Sequence, residues 1–171
     1  TLKNIKPSRR VPLLFMNLVN GGQHSQSPLA FQEYHIVPQT DDIDEALNLA
    51  TQIQTGLKQK IVKDLGSASA NLGDESGFVL DTPDVKKPLE LILKTIEDNH
   101  LLDKIKLSLD AAASSFYVDD HYEFGGKKYS AEELLEFYVS LINSFPIISI
   151  EDPFTEDDFD SFAKLLALKQ S

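Results

Sequence analysis

The sequence predicts an α/β fold of the barrel type, with helices connecting strands that run mostly parallel. From Pro83 onward, apolar runs of strand length alternate with stretches of helical periodicity, which argues for parallel strands and helical crossovers. Two of those runs stop on carboxylates, at Asp110 and at Glu151. Because the C-terminal strand ends of a parallel barrel open at one mouth, these carboxylates would converge there.

The first part of the chain predicts two strands followed by a long helix. Residues 11–19 and 31–37 are apolar runs of strand length, closed by a glycine turn and by Pro38. Apolar residues recur at helical spacing over residues 41–65, with acids early, lysines late and Gly66 as the stop. Residues 67–77 are small and polar, which predicts a loop.

The second part predicts two more strands among three helices. Residues 83–99 predict a helix with Pro88 near its first turn. Strands are predicted at residues 105–109 and 147–150. Helices are predicted at residues 130–144, opened by a capping box, and at residues 157–168. Since a barrel needs about eight strands, this ββααβαβα order predicts a partial TIM-type (β/α)8 barrel that is incomplete.

Composition excludes several classes of partner. The chain has 171 residues, the length of one domain, and a net charge of −11. Nucleic acid and anionic membranes would be repelled by that charge. The absence of cysteine excludes disulfides and thiolate metal sites and favours a reducing compartment. No apolar run approaches the roughly 20 residues of a membrane span. We therefore expect neither nucleic acid nor a membrane as a partner.

Three acidic segments supply the candidate site. Glu75 lies between glycines in GDESG at residues 73–77, whereas Asp110 and Glu151 end strands. Converging carboxylates without cysteine suit a hard divalent cation, most simply Mg²⁺. Each segment also has a structural explanation: a solvated turn for the loop, a helix N-cap for Asp110, and a capping role for Asp152. Adjacent carboxylates after a buried strand, as at Glu151 and Asp152, are harder to explain without water or a cation.

Weaker candidates lie near the first two strands. His24 follows a glycine turn in NGGQH at residues 20–24, and Gln32 and Glu33 open the second strand. We interpret the remaining histidines as bystanders, namely His35, His100 and His121. A cation for an anionic substrate is missing from the predicted strand ends, since Lys127-Lys128 is expected in a turn.

Together these segments resemble the enolase family. The matching stretches run from VP at residues 11–12 through Asn17 to GGQH at 21–24, then FQEY at 31–34 and NLGDE at 71–75. They continue with LDAA at 109–112, SIEDPF at 149–154 and EDD at 156–158. Their order matches the family from about residue 7 to the end. The family's barrel begins ββαα, so the resemblance implies that residues 1–171 are the N-terminal half of an enolase-like catalytic barrel domain.

The resemblance also implies roles for individual residues. Asp110 and Glu151 match two of three carboxylate ligands for the catalytic Mg²⁺. Glu75 matches the general acid that helps hydroxide leave the substrate, and Glu33 matches a second catalytic glutamate. The positions that match substrate-binding residues are His24, Gln32, Glu33 and Glu151. Divalent charge suits a reaction that builds negative charge next to a carboxylate, and neighbouring carboxylates raise an acid's pKa.

As a whole, the resemblance implies a Mg²⁺-dependent lyase of glycolysis that interconverts 2-phosphoglycerate and phosphoenolpyruvate, homodimeric and cytoplasmic. The family's third metal ligand, its base lysine and a second lysine fall beyond residue 171, and its N-terminal domain is absent. Thr1 is not an initiator, so we expect a section of a longer polypeptide, inactive by itself. Ser76 stands where the family has Gly, and Ser115 where Glu is common.

Two other readings remain open. The chain could be a non-catalytic enolase-like protein used for binding or assembly, because a half barrel exposes two sheet edges and an apolar interior. It could also belong to another branch of the wider enolase superfamily, with a different acid as substrate.

Overall fold

A computed structural model describes residues 11–73 and 75–168, which form one mixed sheet, one small hairpin sheet and four helices. In chain order the elements are β1 (Met16–Asn20), β2 (Glu33–Pro38), α1 (Ile43–Leu65), β3 (Phe78–Val79), α2 (Lys87–Asp98), β4 (Ile105–Asp110), β5 (Tyr117–Val118), β6 (His121–Phe124), β7 (Lys127–Tyr129), α3 (Ala131–Ser144), β8 (Ile147–Glu151) and α4 (Phe159–Leu168).

The main sheet has the strand order β3-β1-β2-β4-β8 and does not close. The fold class predicted from the sequence, an incomplete α/β barrel, is therefore confirmed. β4 and β8 are parallel and joined through α3, as the alternation of elements predicted. β2 instead runs antiparallel to both β1 and β4. Its direction matters for the site, because the start of β2 lies at the same edge as the ends of its neighbours.

Local signals in the sequence account for the helix ends. Asp42 caps α1 by accepting a hydrogen bond from the Glu45 amide, and Gly66 follows the last turn with φ +88°. Ser130 and Glu133 form the predicted capping box of α3, each side chain accepting from the other residue's backbone amide. Pro88 lies in the first turn of α2, where its missing amide hydrogen costs nothing.

One face of the main sheet packs against the helices. Alternate residues of a strand point to opposite faces, and one alternating set is wholly buried. Its members on the strands are Val19, Tyr34, Ile36, Leu107 and Leu109. They join the apolar stripes of the helices, formed by Leu49, Ile53, Leu57 and Ile61 of α1, Leu89, Ile92 and Ile96 of α2, and Leu134, Tyr138 and Leu141 of α3. This layer is the hydrophobic core.

The hairpin sheet β5-β6-β7 was not predicted. Its strands are two to four residues long, too short to show a periodic pattern. Lys127 and Lys128 belong to β7, so the expectation of a turn there is wrong, and Gly125 and Gly126 make the turn instead. Rings of this region pack on Phe31, with Phe124 at 5.5 Å between centroids. The hairpin sheet thereby packs against Phe31, two residues before the start of β2.

The free edge of β8 borders an apolar groove between α3 and α4. The groove is a cavity of about 610 Å³ whose lining includes Ile142, Ile148 and Leu166. Phe159 and Leu166 of the same region are 75% and 61% exposed. Within the described ranges, no helix is long and apolar enough to cross a membrane.

Candidate active site

Four polar residues form one row across the edge of the main sheet. Asn20 of β1 is the register partner of Glu33, which starts β2. Glu33 is the partner of Asp110, and Asp110 is the partner of Glu151. Register partners lie side by side on the same face of a sheet. The face opposite the core therefore carries three carboxylates and an amide in adjacent positions, which we call the acidic row.

The reversed direction of β2 brings Glu33 into this row. Parallel strands present their C-terminal ends at a common edge, whereas β2 presents its first residue there. Sequence reasoning placed Glu33 at a strand start, and only the antiparallel pairing explains how that start reaches the ends of β4 and β8.

Asp110 is held by two hydrogen bonds. Its Oδ1 accepts from the Ala112 amide at 3.0 Å, and its Oδ2 accepts from Nε2 of Gln32 at 3.2 Å. Asp110 closes a turn and does not cap an α-helix. Burial, with the charges of Glu151 and Glu33 adding to it, raises the pKa of Asp110 to about 6, although the Ala112 hydrogen bond opposes the shift. The Asp110 carboxyl is therefore partly removed from water and lies near other carboxylates.

Glu151 ends β8 beside Asp110, and its side chain is exposed. The backbone ties the two strand exits together, since the Ala111 amide donates to the Glu151 carbonyl and the Ala113 amide to the Asp152 carbonyl, both at 3.0 Å. Two hard carboxylate oxygen donors on adjacent strands, one of them with a raised pKa, fit a divalent cation such as Mg²⁺.

The described part of the chain contains no group of three or more histidine or acidic ligands placed to hold a metal. Asp110 and Glu151 therefore fit Mg²⁺ as part of a site and not as the whole of one.

Glu75 joins the acidic row from a loop. Its Oε2 accepts a hydrogen bond from Nδ2 of Asn20 at 2.9 Å. The loop is closed by the Gly73 amide, which donates to the Gly77 carbonyl at 2.8 Å, and by the Ser76 amide, which donates to the Gly73 carbonyl at 3.0 Å. Ser76 has φ +63°, a left-handed conformation that favours glycine. A serine at this position is therefore strained, and a glycine would be less so.

His35 contacts the predicted site residue Glu33, a contact that its interpretation as a bystander did not include. Its Nε2 lies 2.7 Å from Oε2 of Glu33, and the residue is only 8% exposed. Burial lowers the pKa of His35, opposed by the charges of nearby carboxylates. The neutral ring then donates from Nε2 to the Glu33 carboxylate. The signal was available, because residues two apart on a strand share a face.

A second polar layer lies under the acidic row. Asn17 of β1 and Ser108 of β4 are the register partners of His35. Both amide atoms of Asn17 and Nδ1 of His35 are buried and have no hydrogen-bond partner among the described residues.

Of the other residues considered from the sequence, only Gln32 has a described side chain that contacts the acidic row. The side chain of His24 lies outside the described residues, and only its backbone, in the turn Gly22–His24, is placed. Gln32 is at the site through its hydrogen bond to Asp110. His100 follows α2, and His121 is exposed on β6, so neither belongs to the acidic row.

Comparison with known proteins gives a consistent match over nearly the whole chain. The family model described as the enolase C-terminal TIM barrel domain matches residues 8–170. The enolase of Methanocaldococcus jannaschii is 38% identical over 156 residues, which cover 91% of this chain and 37% of that protein. The enolase of Methanopyrus kandleri is 39% identical over 163 residues, covering 92% and 38%. That of Methanosarcina barkeri is 40% identical over 157 residues, covering 91% and 37%.

The chain spans a little over a third of the length of these curated relatives. The match nevertheless includes every element that carries the acidic row. With a family model covering most of its residues and a site of the corresponding chemistry at the predicted edge, the chain belongs to the enolase family.

Proposed function

We propose that this chain is the N-terminal half of the catalytic barrel domain of an enolase, a Mg²⁺-dependent lyase that interconverts 2-phosphoglycerate and phosphoenolpyruvate. The observation that supports it most is the acidic row, in which Glu33, Asp110 and Glu151 are register partners on one face of the sheet. The relatives that match the chain are named enolase, which supports the same reaction.

Asp110 and Glu151 would hold the cation. When bound there, Mg²⁺ would supply positive charge to balance negative charge that develops on the substrate. The chain itself carries a net charge of −11, so an anionic substrate needs such a local cation. Gln32 orients one of these ligands, since its amide donates to Oδ2 of Asp110.

Glu75 and Glu33 would handle protons on the opposite side of the row from Glu151. Glu75 is the general acid that gives a proton to the departing hydroxide, and Glu33 supports that step. Asn20 donates a hydrogen bond to Glu75, and Nε2 of His35 lies 2.7 Å from Oε2 of Glu33. The proposed contacts to substrate come from His24, Gln32, Glu33 and Glu151.

We further propose that the base lysine and the third metal ligand come from a longer polypeptide. Residues 1–171 alone are then inactive, because the proton on the substrate's C2 has no acceptor. The proposal also includes the homodimer and the cytoplasmic location that the resemblance implies.

A non-catalytic binding or assembly role is the second candidate. The apolar groove beside the free edge of β8 favours it, because an exposed strand edge and apolar surface invite another chain.

The test begins with the intact mass of the native polypeptide, followed by its conversion of 2-phosphoglycerate, measured by ultraviolet absorbance of the enol product. A mass well above 19.1 kDa and activity that chelation abolishes and Mg²⁺ restores would support the lyase. Glu75→Gln should reduce kcat on the order of 10²–10⁴-fold. Glu136→Gln, on the exposed surface of α3, is the matched control and should leave kcat unchanged.

Two results would overturn the proposal. A native mass of 19.1 kDa with no turnover would favour the binding role. Activity that Glu75→Gln leaves unchanged would remove Glu75 from the reaction.

A further inference from the structure

We propose that Asn20 is a positioning residue for Glu75, and that the loop carrying Glu75 is built around the buried side-chain amide of Asn20. This inference rests on the proposed function only for the role of Glu75 as an acid. The geometry of the contact stands on its own.

Asn20 is the last residue of β1 and is fully buried, with 0% of its surface exposed. Its Nδ2 donates to Oε2 of Glu75 at 2.9 Å, across 55 residues of sequence. Glu75 is an exposed residue in a loop. An exposed glutamate side chain has many rotamers available, so a donor fixed at the end of a strand restricts where its carboxylate can lie.

One glycine of the loop, Gly77, leaves room for this amide. A Cβ at Gly77 would lie 2.1 Å from Oδ1 of Asn20 and 3.1 Å from its backbone nitrogen. A Cβ at Gly73 would lie 3.2 Å from Val79 Cγ2 and 3.8 Å from the same Oδ1. Neither glycine has a positive φ, whereas Ser76 between them does. Gly77 is therefore required for space around Asn20 and not for backbone conformation, whereas at Gly73 the tight neighbour is Val79.

The orientation of the amide also points to Glu75. Oδ1 of Asn20 is buried without a hydrogen-bond partner among the described residues, which is unfavourable for stability. With the Glu75 carboxylate ionised, turning the amide over would place Oδ1 against it, and two acceptors would repel. The hydrogen bond to Glu75 therefore decides the orientation, at the expense of Oδ1. An asparagine retained only for packing would gain nothing from this arrangement.

Asn20→Ala and Asn20→Asp test the proposal in the native-length protein. The first removes the donor, and the second keeps the shape but sets a like charge against Glu75. We expect kcat to fall about 10- to 100-fold, the range for one hydrogen bond to a charged group, while KM for 2-phosphoglycerate changes less than about threefold. Asn48→Ala is the control and should leave kcat unchanged, because Asn48 is an exposed asparagine of α1 outside the acidic row.

A double variant separates positioning from general damage. If Asn20 acts through Glu75, Asn20→Ala should cause no further loss of kcat in a Glu75→Gln background. A loss of the same size in both backgrounds, or an equal loss in Asn48→Ala, would overturn the proposal.

Amide hydrogen exchange tests the same contact without activity. The Gly73 and Ser76 amides donate within the loop, and Asn20→Ala should reduce their protection at least tenfold. Unchanged protection would contradict the proposal. If the wild-type protein proves inactive, the proposed function fails while this readout still decides the role of Asn20. If Asn20→Ala does not fold, as judged by circular dichroism, Asn20→Asp takes its place.

Discussion

The two faces of the main sheet use neighbouring residues of the same strands for different purposes. On β4, Leu107 and Leu109 are fully buried against the helices, whereas Ser108 and Asp110 face the acidic row. On β2, Tyr34 and Ile36 enter the core, whereas Glu33 and His35 contact each other. Because side chains alternate along a strand, one residue packs in the core while its neighbour faces the acidic row.

The two faces also differ in how fully their buried polar groups are hydrogen-bonded. The core face is closely packed and apolar. On the opposite face, buried amide and imidazole atoms of Asn17, Asn20 and His35 have no hydrogen-bond partner within residues 11–73 and 75–168. Burial, with nearby carboxylates, raises the pKa of Asp110 on this face to about 6. Groups that are unsatisfied in the folded chain are expected where a ligand or cation acts. The comparison predicts that substitutions on the core face change stability and that those on the other face change ligand binding.

The largest expected effect on stability comes from the core face. Leu109→Ala should lower the free energy of unfolding by about 2–5 kcal/mol, because it removes buried apolar surface and leaves a cavity. Ser108→Ala, the adjacent residue on the opposite face, should change it by less than about 1 kcal/mol. Urea unfolding of both variants measures the difference. An equal loss of unfolding free energy in the two variants would contradict the distinction between the faces.

A smaller, pH-dependent effect is expected from Asp110. Its folded-state pKa of about 6 lies above the ordinary value of 3.8, so the folded form binds the proton more tightly. The contribution of Asp110 to stability therefore falls as pH rises from about 4 to about 6. Without metal, Asp110→Asn should be more stable than wild type at pH 7 by on the order of 1–2 kcal/mol, allowing for partial exposure.

Thermal unfolding of wild type and Asp110→Asn at several pH values tests this sign. The advantage of the variant should shrink as pH falls below 6 and disappear below about pH 3, where both folded and unfolded Asp110 are protonated. An advantage that grows toward low pH would contradict the assignment.

The smallest expected effect concerns the loop. Ser76→Gly should stabilise the chain by roughly 0.5–1 kcal/mol, because it removes the strain of a left-handed serine but adds flexibility to the unfolded state. Ser114→Gly, at an exposed serine without a positive φ, is the control and should destabilise. If both variants lose stability, φ at Ser76 is not the cause.

Much of the fold was predictable from local signals. The helices followed from apolar spacing and from capping residues such as Asp42 and Ser130. The carboxylates Asp110 and Glu151 were found because polar residues at the ends of apolar strands need a physical reason. The direction of β2 was not predictable from its residues, since alternation is the same in both directions. The short strands of the hairpin sheet left no periodic pattern.

The contacts behind the acidic row were the harder part of the site. His35 was overlooked although it shares a face with Glu33, because a histidine alone carries no role. Asn20 was seen only as part of a glycine turn. Its partner Glu75 is 55 residues away, and no local pattern predicts such a pair.

The central claim, that Asp110 and Glu151 of the acidic row help to hold a divalent cation, is tested most directly by calorimetric titration of the native-length protein with Mg²⁺. Wild type should bind, and Asp110→Asn should bind at least tenfold more weakly, while Asp103→Asn, at an exposed position before β4, should match wild type. Equal Mg²⁺ affinity in wild type and Asp110→Asn would contradict the claim.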